Sequence, residues 1–369
     1  MAGENVTLLL CGDVMPGRGL DQILPHPGEP QLREPGTSDA GVYVRLAERV
    51  SGPIRCPVSF DWPWGDALLV ADDMAPDVRV INLECAVTRS NEFASGKAVH
   101  YRMEPSNLPC VAAFKPDACS LANNHALDFG RTGLTDTLHW LAGARLAAVG
   151  AGRNPAEAQQ AAAIPLPRGG RVLVFGCGAA CSGIPPSWAA APGRPGLDLL
   201  TGLDDAAAGS LASRLREAKQ PGDVAVVSIH WGSNWGYEVH RDQVHFARLL
   251  IDAGADLIHG HSSHHPRPIQ TYHGKLILYG CGDCIDDYEG ISGYEQFRDD
   301  LRLLYFATLR RSTGQLTGLR MVPMQVRKMR LRHAGLADSK WVATILGQIS
   351  RAGGAQIRLD PGGTLSLDL

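Results

Sequence analysis

The segment VTLLLCGDVMPGR (Val6–Arg18) sets the pattern on which the whole chain is built: a short apolar run reaches a glycine, and an aspartate follows at once. Short apolar runs rich in β-branched residues predict buried strands. Runs of this kind recur along the chain and alternate with longer amphipathic stretches, a pattern typical of α/β architecture. The predicted strands are Val6–Cys11, Val78–Asn82, Ala118–Leu121, Val172–Gly176, Val224–His230, Leu257–His259 and Leu276–Tyr279.

The amphipathic stretches predict helices. Residues 204–218 carry apolar side chains at helical spacing, and the helix breakers Pro221 and Gly222 follow soon after. The predicted helices are Ala40–Arg49, Gly65–Ala71, Gly133–Ala142, Pro155–Ala161, Asp205–Ala218, Asp242–Gly254 and Ser339–Ala352. Stretches rich in proline or turn residues predict loops at Leu24–Thr37, Ser51–Pro63 and Cys181–Gly202. Residues 301–329 are expected to form two long strands that add an antiparallel edge to the sheet.

The composition is that of an ordinary globular enzyme. For 369 residues, of which 44% are hydrophobic and 20% charged, we expect one large α/β domain at residues 1–330. A C-terminal helix and tail at residues 331–369 should pack on it. The net charge of -3, without a long basic run, disfavours a nucleic-acid partner. No run approaches the ~18 apolar residues of a membrane span, and the N-terminal run is too short for a signal peptide, so we predict a cytoplasmic protein.

Metal-binding side chains follow five of the predicted strands. Each of them alone is more often a turn residue, a helix cap or a hydrogen-bonded residue at a strand end. Together they stand where open α/β sheets bind ligands, beyond the carboxyl ends of the strands. Carboxylate, amide and imidazole donors predict one or two divalent cations, with Mn, Zn, Fe, Mg and Ca all left open. The residues concerned are Asp13, Asn82, Glu84, Asn123, Asn124, His125, His230 and the four histidines of the seven-residue segment His259–His265.

Five segments, in this order, resemble the CapA branch (poly-γ-glutamate capsule synthesis proteins) of the calcineurin-like metallophosphoesterase superfamily. The resemblance spans roughly residues 6–287 and implies a four-layer αββα sandwich of two mixed β-sheets flanked by helices. The matching segments are LCGDVMPGR (Leu10–Arg18), NLECAVT (Asn82–Thr88), LANNHALDFG (Leu121–Gly130), SIHWGSN (Ser228–Asn234) and ADLIHGHSSHHPRPIQ (Ala255–Gln270).

The resemblance also implies roles for single residues. Asp13 would be a ligand of the first metal, Glu84 would bridge, and His264 would close the first site. The second metal would be held by Asn124, His230 and His261, and His125 would be the acid/base residue beside the metals. The superfamily usually has a histidine where this chain has Met15, so the first site has one nitrogen ligand fewer.

The ligand set fits both hydrolysis and proton abstraction beside a carbonyl, and the fold alone does not choose between them. Because Met15 weakens the first site and the CapA branch is linked to poly-amino-acid substrates, we favour a peptide epimerase. Its reaction would be Cα epimerisation of a residue in a ribosomal (lasso) precursor peptide, a reaction to which the resemblance extends. The alternatives are a phosphate mono- or diesterase, a CapA-type accessory protein of poly-γ-glutamate synthesis, or a non-catalytic binding module.

An epimerase needs a second acid/base group on the opposite face of Cα. The candidates are His265, Asp283, His100 and His240.

A peptide substrate also needs binding groups. Arg18 and Arg267 lie inside the motifs and could hold a carboxylate through bidentate hydrogen bonds, although surface salt bridges are an equally good explanation. Trp235 could line an apolar groove with other tryptophans, for which core packing is the alternative. We therefore predict Arg18, Arg267 and Trp235 as substrate-binding residues.

Overall fold

Two large mixed β-sheets form the centre of the chain, which a computed structural model describes at residues 4–167 and 169–369. The strands are β1 (Asn5–Val14), β2 (Gln31–Glu34), β3 (Thr37–Asp39), β4 (Val78–Leu83), β5 (Ala86–Val87), β6 (Arg102–Met103), β7 (Ala118–Ser120), β8 (Ala147–Val149), β9 (Ala151–Gly152), β10 (Ala162–Pro165), β11 (Arg171–Ala179), β12 (Gly196–Leu197), β13 (Leu199–Leu200), β14 (Val224–His230), β15 (Leu257–His261), β16 (Ile269–Tyr272), β17 (Lys275–Leu278), β18 (Asp283–Ile285), β19 (Leu301–Arg310), β20 (Gln315–Val326), β21 (Leu331–His333), β22 (Gln356–Leu359) and β23 (Leu365–Asp368). The helices are α1 (Arg18–Ile23), α2 (Gly41–Ser51), α3 (Asp66–Met74), α4 (Pro109–Ala113), α5 (Gly130–Gly143), α6 (Pro155–Ala158), α7 (Asp205–Ala218), α8 (Arg241–Asp252) and α9 (Leu336–Ser350).

The first sheet contains ten strands in the order β22-β23-β20-β19-β1-β4-β7-β8, with β18 beside β1 and β21 beside β20. Strands β1, β4, β7 and β8 are parallel, and β19 joins β1 antiparallel. The predicted antiparallel pair at residues 301–329 is confirmed by β19 and β20.

The second sheet contains seven strands, in the order β10-β11-β14-β15-β17-β16, with β13 beside β11. Its four central strands, β11, β14, β15 and β17, are parallel, and β10 and β16 lie antiparallel at the edges. Parallel strands place their carboxyl ends on one edge, and in this sheet that edge carries the predicted ligands His230 and His261.

The alternation of side chains along β1 builds two cores at once. Leu8 and Leu10 point into an apolar layer between the two sheets, where they meet residues such as Val226 of β14. Leu9 and Cys11 point the other way, into a core covered by α3 and α5. On the outer face of the second sheet, α7 and α8 pack in the same manner. The layers are therefore helices, sheet, sheet and helices, which confirms the predicted αββα sandwich.

All seven predicted strands and all seven predicted helices are confirmed, with ends shifted by a few residues. Two predicted loops were wrong in part. The loop at residues 24–37 contains β2, and that at residues 181–202 contains β12 and β13. Strands of two to four residues are held by backbone pairing to a neighbour, and they are too short to display a clear alternating side-chain pattern.

The C-terminal segment extends the first sheet, because β23 pairs with β20 and with β22. The division into residues 1–330 and 331–369 stays a prediction. Within residues 4–167 and 169–369, none of the helices has both the length and the apolar character needed to cross a bilayer.

Candidate metal centre

Strand ends from both sheets converge on one buried point. Asp13 lies near the end of β1, Glu84 directly follows β4, and His230 and His261 end β14 and β15. Each of these four side chains is buried. The structure thus brings together every residue that was predicted to bind metal, and these are Asp13, Glu84, Asn124, His230, His261 and His264.

Asn82, at the end of β4, ties the two carboxylates together. Its Nδ2 lies 2.8 Å from Asp13 Oδ1 and 3.0 Å from Glu84 Oε2. The Asn82 amide is itself held by Asn123, whose Nδ2 donates to Asn82 Oδ1 at 3.0 Å. A fixed amide donor between two buried carboxylates keeps their remaining oxygens directed toward the site.

Two groups of three side chains have ligand atoms that lie within 4.8 Å of one another. The first group is Asp13, His230 and His261, and the second is Asp13, His264 and Asp283. Asp13 belongs to both groups. It therefore holds the bridging position that the resemblance implied for Glu84. Glu84 stands beside the first group, with its Oε1 3.9 Å from His230 Nε2.

Asp283 occupies a different place from the acid/base position that we predicted for it. It is paired in register with Asp13 through β18, and its Oδ1 lies 2.8 Å from His264 Nδ1. The geometry therefore groups Asp283 with the candidate ligands. His264 Nε2 lies 3.1 Å from the side-chain amide of Asn234, so both ring nitrogens have a neighbour.

The electrostatics of these groups fit a divalent cation. Burial, and then the neighbouring Asp283, raise the pKa of Asp13 from 3.8 to about 7. Burial and Asp13 likewise raise the pKa of Glu84 well above its usual range. The buried Oδ2 of Asp283 accepts no hydrogen bond from the residues that the structure describes. A cation would supply the positive charge that these crowded carboxylates lack.

The protonation of the imidazoles also bears on the binding of a divalent cation. Burial is the main cause that lowers the pKa of His230 and of His261 well below the usual value, so both rings are neutral near pH 7. For His264, burial opposes the charged form, but Asp283 and Asp13 outweigh it and raise the pKa. A cation at the second group therefore competes with a proton on His264. Carboxylate oxygens and imidazole nitrogens together fit Mn, Fe or Zn well.

His125 is poised as a base beside the carboxylates. Its Nδ1 lies 2.6 Å from Asp128 Oδ2, while its Nε2 lies 3.8 Å from Glu84 Oε1. Burial lowers the pKa of His125 to about 4, although Asp128 acts in the opposite direction. The neutral ring donates Nδ1–H to Asp128 and keeps a lone pair on Nε2. Lys97 contacts Asp128 and lies 3.3 Å from His125 Nδ1.

A close approach of two backbones sets the distance between Asp13 and Asp283. The backbone N–H of Asp13 donates to the Gly282 carbonyl at 2.9 Å. A Cβ on Gly12 would lie 1.6 Å from that same oxygen. Position 12, before Asp13 in the CGD sequence, therefore requires glycine because a side chain has no room there. Its backbone conformation does not require glycine.

The predicted substrate-binding residues have unequal surroundings. Trp235 stacks on Tyr294 with ring centroids 3.9 Å apart and lies 5.3 Å from the ring of His264, beside the site. Arg18 forms buried ion pairs with Asp287 at 2.5 Å and with Glu34 at 3.2 Å. Its charge is balanced inside the chain, so the binding role predicted for Arg18 has no geometric support.

The proposed second acid/base residues are dispersed. His265 donates its Nδ1–H to the Pro266 carbonyl at 3.1 Å and stacks on Phe297 at 4.5 Å. His100 is bonded to a backbone carbonyl at 2.8 Å, and the exposed His240 precedes α8 as its N-cap. These contacts give none of the three histidines a place against the carboxylates of the centre.

Two polar residues of the site, Asp128 and Lys97, were missing from the predicted set, and Asn82 was predicted only as a metal-binding side chain. Asp128 lies three residues after His125, and that spacing within a tight turn was the signal that could have found it. Asn82 directly ends a predicted strand, but its role as a donor between carboxylates requires the three-dimensional arrangement. Lys97 comes from an irregular loop, and no local pattern indicates it.

The fold and the paired ligand groups define a chain of the calcineurin-like type with a candidate metal centre. The family model described as "Bacterial capsule synthesis protein PGA_cap" matches residues 7–288. The chain belongs to this family.

Several relatives agree with this assignment. A protein of Mycobacterium tuberculosis named "probable polyglutamine synthesis accessory protein" is 52% identical over 375 aligned positions, which cover 100% of this chain and 97% of the relative. The PGA biosynthesis protein CapA of Bacillus subtilis is 30% identical over 232 positions, covering 63% of this chain and 58% of the relative. For the capsule biosynthesis protein CapA of Bacillus anthracis, the identity is 25% over 306 positions, covering 82% and 64%. The CapA-like resemblance is confirmed, and these names give no support to the epimerase.

Proposed function

We propose that this chain is a divalent-metal-dependent accessory enzyme in the synthesis of a glutamate or glutamine polymer. The observation that carries the proposal is the pair of buried ligand groups that share Asp13, with His125 beside them. The names of the relatives supply the polymer, since they refer to polyglutamine synthesis, PGA biosynthesis and capsule biosynthesis. From the sequence alone, the accessory role was an alternative to the epimerase. With these relatives, we prefer the accessory role.

The residues beside the metal centre are suited to moving one proton. A divalent cation held there polarises a carbonyl or phosphoryl oxygen, or lowers the pKa of water toward ~7. His125 is neutral near pH 7 and presents Nε2 on the side of Glu84, so it can accept a proton there. Asp128 holds the ring by its Nδ1–H and stabilises the imidazolium that forms.

One acid/base group is enough for hydrolysis, whereas inversion at Cα needs two groups on opposite faces. His125 fills the first role, but His265 packs against Phe297, and Asp283 is grouped with His264 and Asp13. We therefore propose hydrolysis at a carbonyl or phosphoryl centre of the polymer or its precursor, carried out together with the synthesis machinery.

A substrate panel tests the reaction. The full chain is incubated with Mn²⁺ or Zn²⁺ and with poly-γ-glutamate, polyglutamine, an aryl phosphate monoester or an aryl phosphate diester. We expect turnover of at least one substrate, its loss with a chelator and in Asp13→Ala, and its retention in His245→Ala, an exposed histidine of α8. Metal-loaded protein that hydrolyses none of the panel would overturn hydrolysis. Deuterium uptake at Cα in heavy water, without cleavage, would restore the epimerase.

A further inference from the structure

A cavity of about 560 Å³ opens beside the candidate metal centre. It lies where β11 and β14 end and where α8 begins, and its walls include Cys181, Gly232, Ser233, His240, Gln243 and Arg267. Gly232 and Ser233 belong to the loop that directly follows His230. The cavity and the centre therefore share the carboxyl edge of the second sheet.

Arg267 places a buried positive charge in the wall of this cavity. Only 2% of Arg267 is exposed. Its Nη1 donates to the Glu238 backbone carbonyl at 2.9 Å, and its Nη2 donates to the carbonyl and the hydroxyl of Ser233, each at 2.7 Å. Throughout residues 4–167 and 169–369, the hydrogen bonds of this guanidinium go to backbone carbonyls and one hydroxyl, and its Nε has no acceptor. A buried cation that meets only neutral oxygens is costly unless an anion binds there.

Gln243 supplies a second, independent donor. It is 3% exposed, and its Oε1 accepts from the His240 backbone N–H at 3.1 Å. Its Nε2 is buried and has no partner among the described residues. A Cβ on Gly232 would lie 2.9 Å from that Nε2, so the Gln243 amide packs against the Gly232 backbone in the cavity wall. Gln243 also stands in the first turn of the twelve-residue helix α8, whose N-terminus favours an anion.

We propose that this cavity binds a singly charged oxyanion of the substrate, a carboxylate. The proposal rests on the proposed function, because it names the chemical class that the same enzyme recognises. The single positive charge of Arg267, in the cavity wall, matches the single negative charge of a carboxylate. The side chains of Glu238 and Asp242, which also line the cavity, repel a doubly charged phosphate more strongly than a singly charged carboxylate. The cavity thus selects glutamate units over glutamine units.

Hydrogen bonds made by Ser262 connect the wall of the cavity to the metal centre. The cavity is therefore placed to act as a binding subsite of that centre. Ser262 donates its hydroxyl to the Gly232 carbonyl at 3.2 Å and its backbone N–H to Asp13 Oδ2 at 3.3 Å. Asn234, in the same loop as Gly232, contacts His264. A carboxylate held by Arg267 therefore fixes the adjoining part of the polymer relative to the ligands.

Calorimetry on the manganese-loaded full chain tests this subsite. The probes are tri-γ-glutamate, triglutamine and inorganic phosphate. We expect tri-γ-glutamate to bind at least about tenfold more tightly than triglutamine, and Arg267→Gln to weaken its binding by about 10- to 100-fold. The matched control is Arg216→Gln, an exposed arginine of α7, which should bind as the wild type does. A second variant, Gln243→Glu, keeps the acceptor for the His240 N–H, replaces Nε2 by a repelling oxygen, and should also weaken binding.

The outcomes separate the two proposals. Equal binding of tri-γ-glutamate to wild type and Arg267→Gln, equal binding of the two peptides, or preferential binding of phosphate would each overturn the carboxylate subsite. If thermal melts show that Arg267→Gln does not fold, Gln243→Glu decides by the same criterion. If the chain hydrolyses none of the panel but still binds tri-γ-glutamate through Arg267, the hydrolase fails and the subsite stands.

Discussion

The two sheets contribute different chemistry to one centre. The first sheet provides the carboxylates Asp13, Glu84 and Asp283, and we call these three residues the carboxylate half. The second sheet and the loop that follows β15 provide His230, His261 and His264, the imidazole half. The carboxylates repel one another when buried, and two of the three imidazoles are neutral. The first sheet thus contributes negatively charged ligands, and the second contributes mainly neutral ones. The packing of the two sheets against each other brings the two sets together.

The largest effect is expected in the carboxylate half, at the residue that both ligand groups share. Asp13→Ala should weaken the binding of every ion by more than about 100-fold, since changes to residues that only support a ligand already cost 10- to 100-fold. Elemental analysis after dialysis measures this. The metal-free variant should also melt at a higher temperature than metal-free wild type, because repulsion from Asp283 and Glu84 is removed. Retention of the full metal content would disprove the shared role, and Asp72→Ala, an exposed aspartate, is the control.

The proton-transfer residue is expected to come next in size. His125→Ala should lower turnover of the substrate found in the panel by about 10²- to 10⁴-fold, the range for loss of a general acid/base group. Metal content should stay at the wild-type level, because His125 lies in neither ligand group. Asp128→Asn should reduce turnover less. A variant that loses its metal together with its activity would place His125 among the ligands instead.

Substitutions in the imidazole half should remove one ion each. His230→Ala affects only the group of Asp13, His230 and His261, whereas His264→Ala affects only the group that contains Asp283. If wild type binds two ions, we expect each variant to bind one, as counted by calorimetric titration with Mn²⁺. Loss of both ions in either variant would mean that the two groups do not bind independently.

The pH dependence sharpens the comparison, because protons compete mainly in the carboxylate half. The pKa of Asp13 is raised to about 7 in the fold, so the metal-free protein binds this proton more tightly when folded than when unfolded. Its stability should therefore fall as pH rises from about 4 to about 7. Over the same range Mn²⁺ affinity should rise, by up to about tenfold per pH unit, and level off above it. Titrations between pH 5.5 and 8.5 would refute this if the affinity were constant.

The smallest effect on metal affinity is expected from Ser228, which contacts a histidine of the imidazole half but is not itself a candidate ligand. Ser228 Oγ lies 3.0 Å from His261 Nε2 and 3.1 Å from His259 Nδ1, so it helps to fix the orientation of the His261 ring. Ser228→Ala should lower the affinity of the first ligand group by about tenfold and leave the second unchanged. The exposed Ser213→Ala is the control. An unchanged affinity would show that packing alone orients His261.

Much of the fold was predictable because the central strands of the two sheets are apolar and well separated in sequence. The closeness of Asp13 to Glu84, and of His230 to His261, also followed from the sequence, since parallel strands of one sheet share an edge and each residue stands at or near a strand end. Their roles as ligands stay predictions until an ion is measured.

What the sequence could not provide depends on contacts between distant segments. Asp283 was assigned to acid/base chemistry, because its pairing with Asp13 arises only when β18 joins β1. Arg18 was assigned to substrate because the carboxylate of Asp287, 269 positions away, is not visible as its partner in a local pattern. Lys97 comes from a loop without periodicity. In each case the missing information was a tertiary contact and not a local propensity.

The narrow space between Gly12 and Gly282 extends the constraints of the centre beyond the residues that hold ligand atoms. Even alanine at position 12 would force the two chain segments apart and carry Asp13 away from its carboxylate neighbour. A survey of tolerated substitutions should therefore find position 12 as intolerant as a ligand position, although it contributes no donor. Sequence variation around the centre is in this way limited by the contact between two backbone segments, and not only by the ligand side chains.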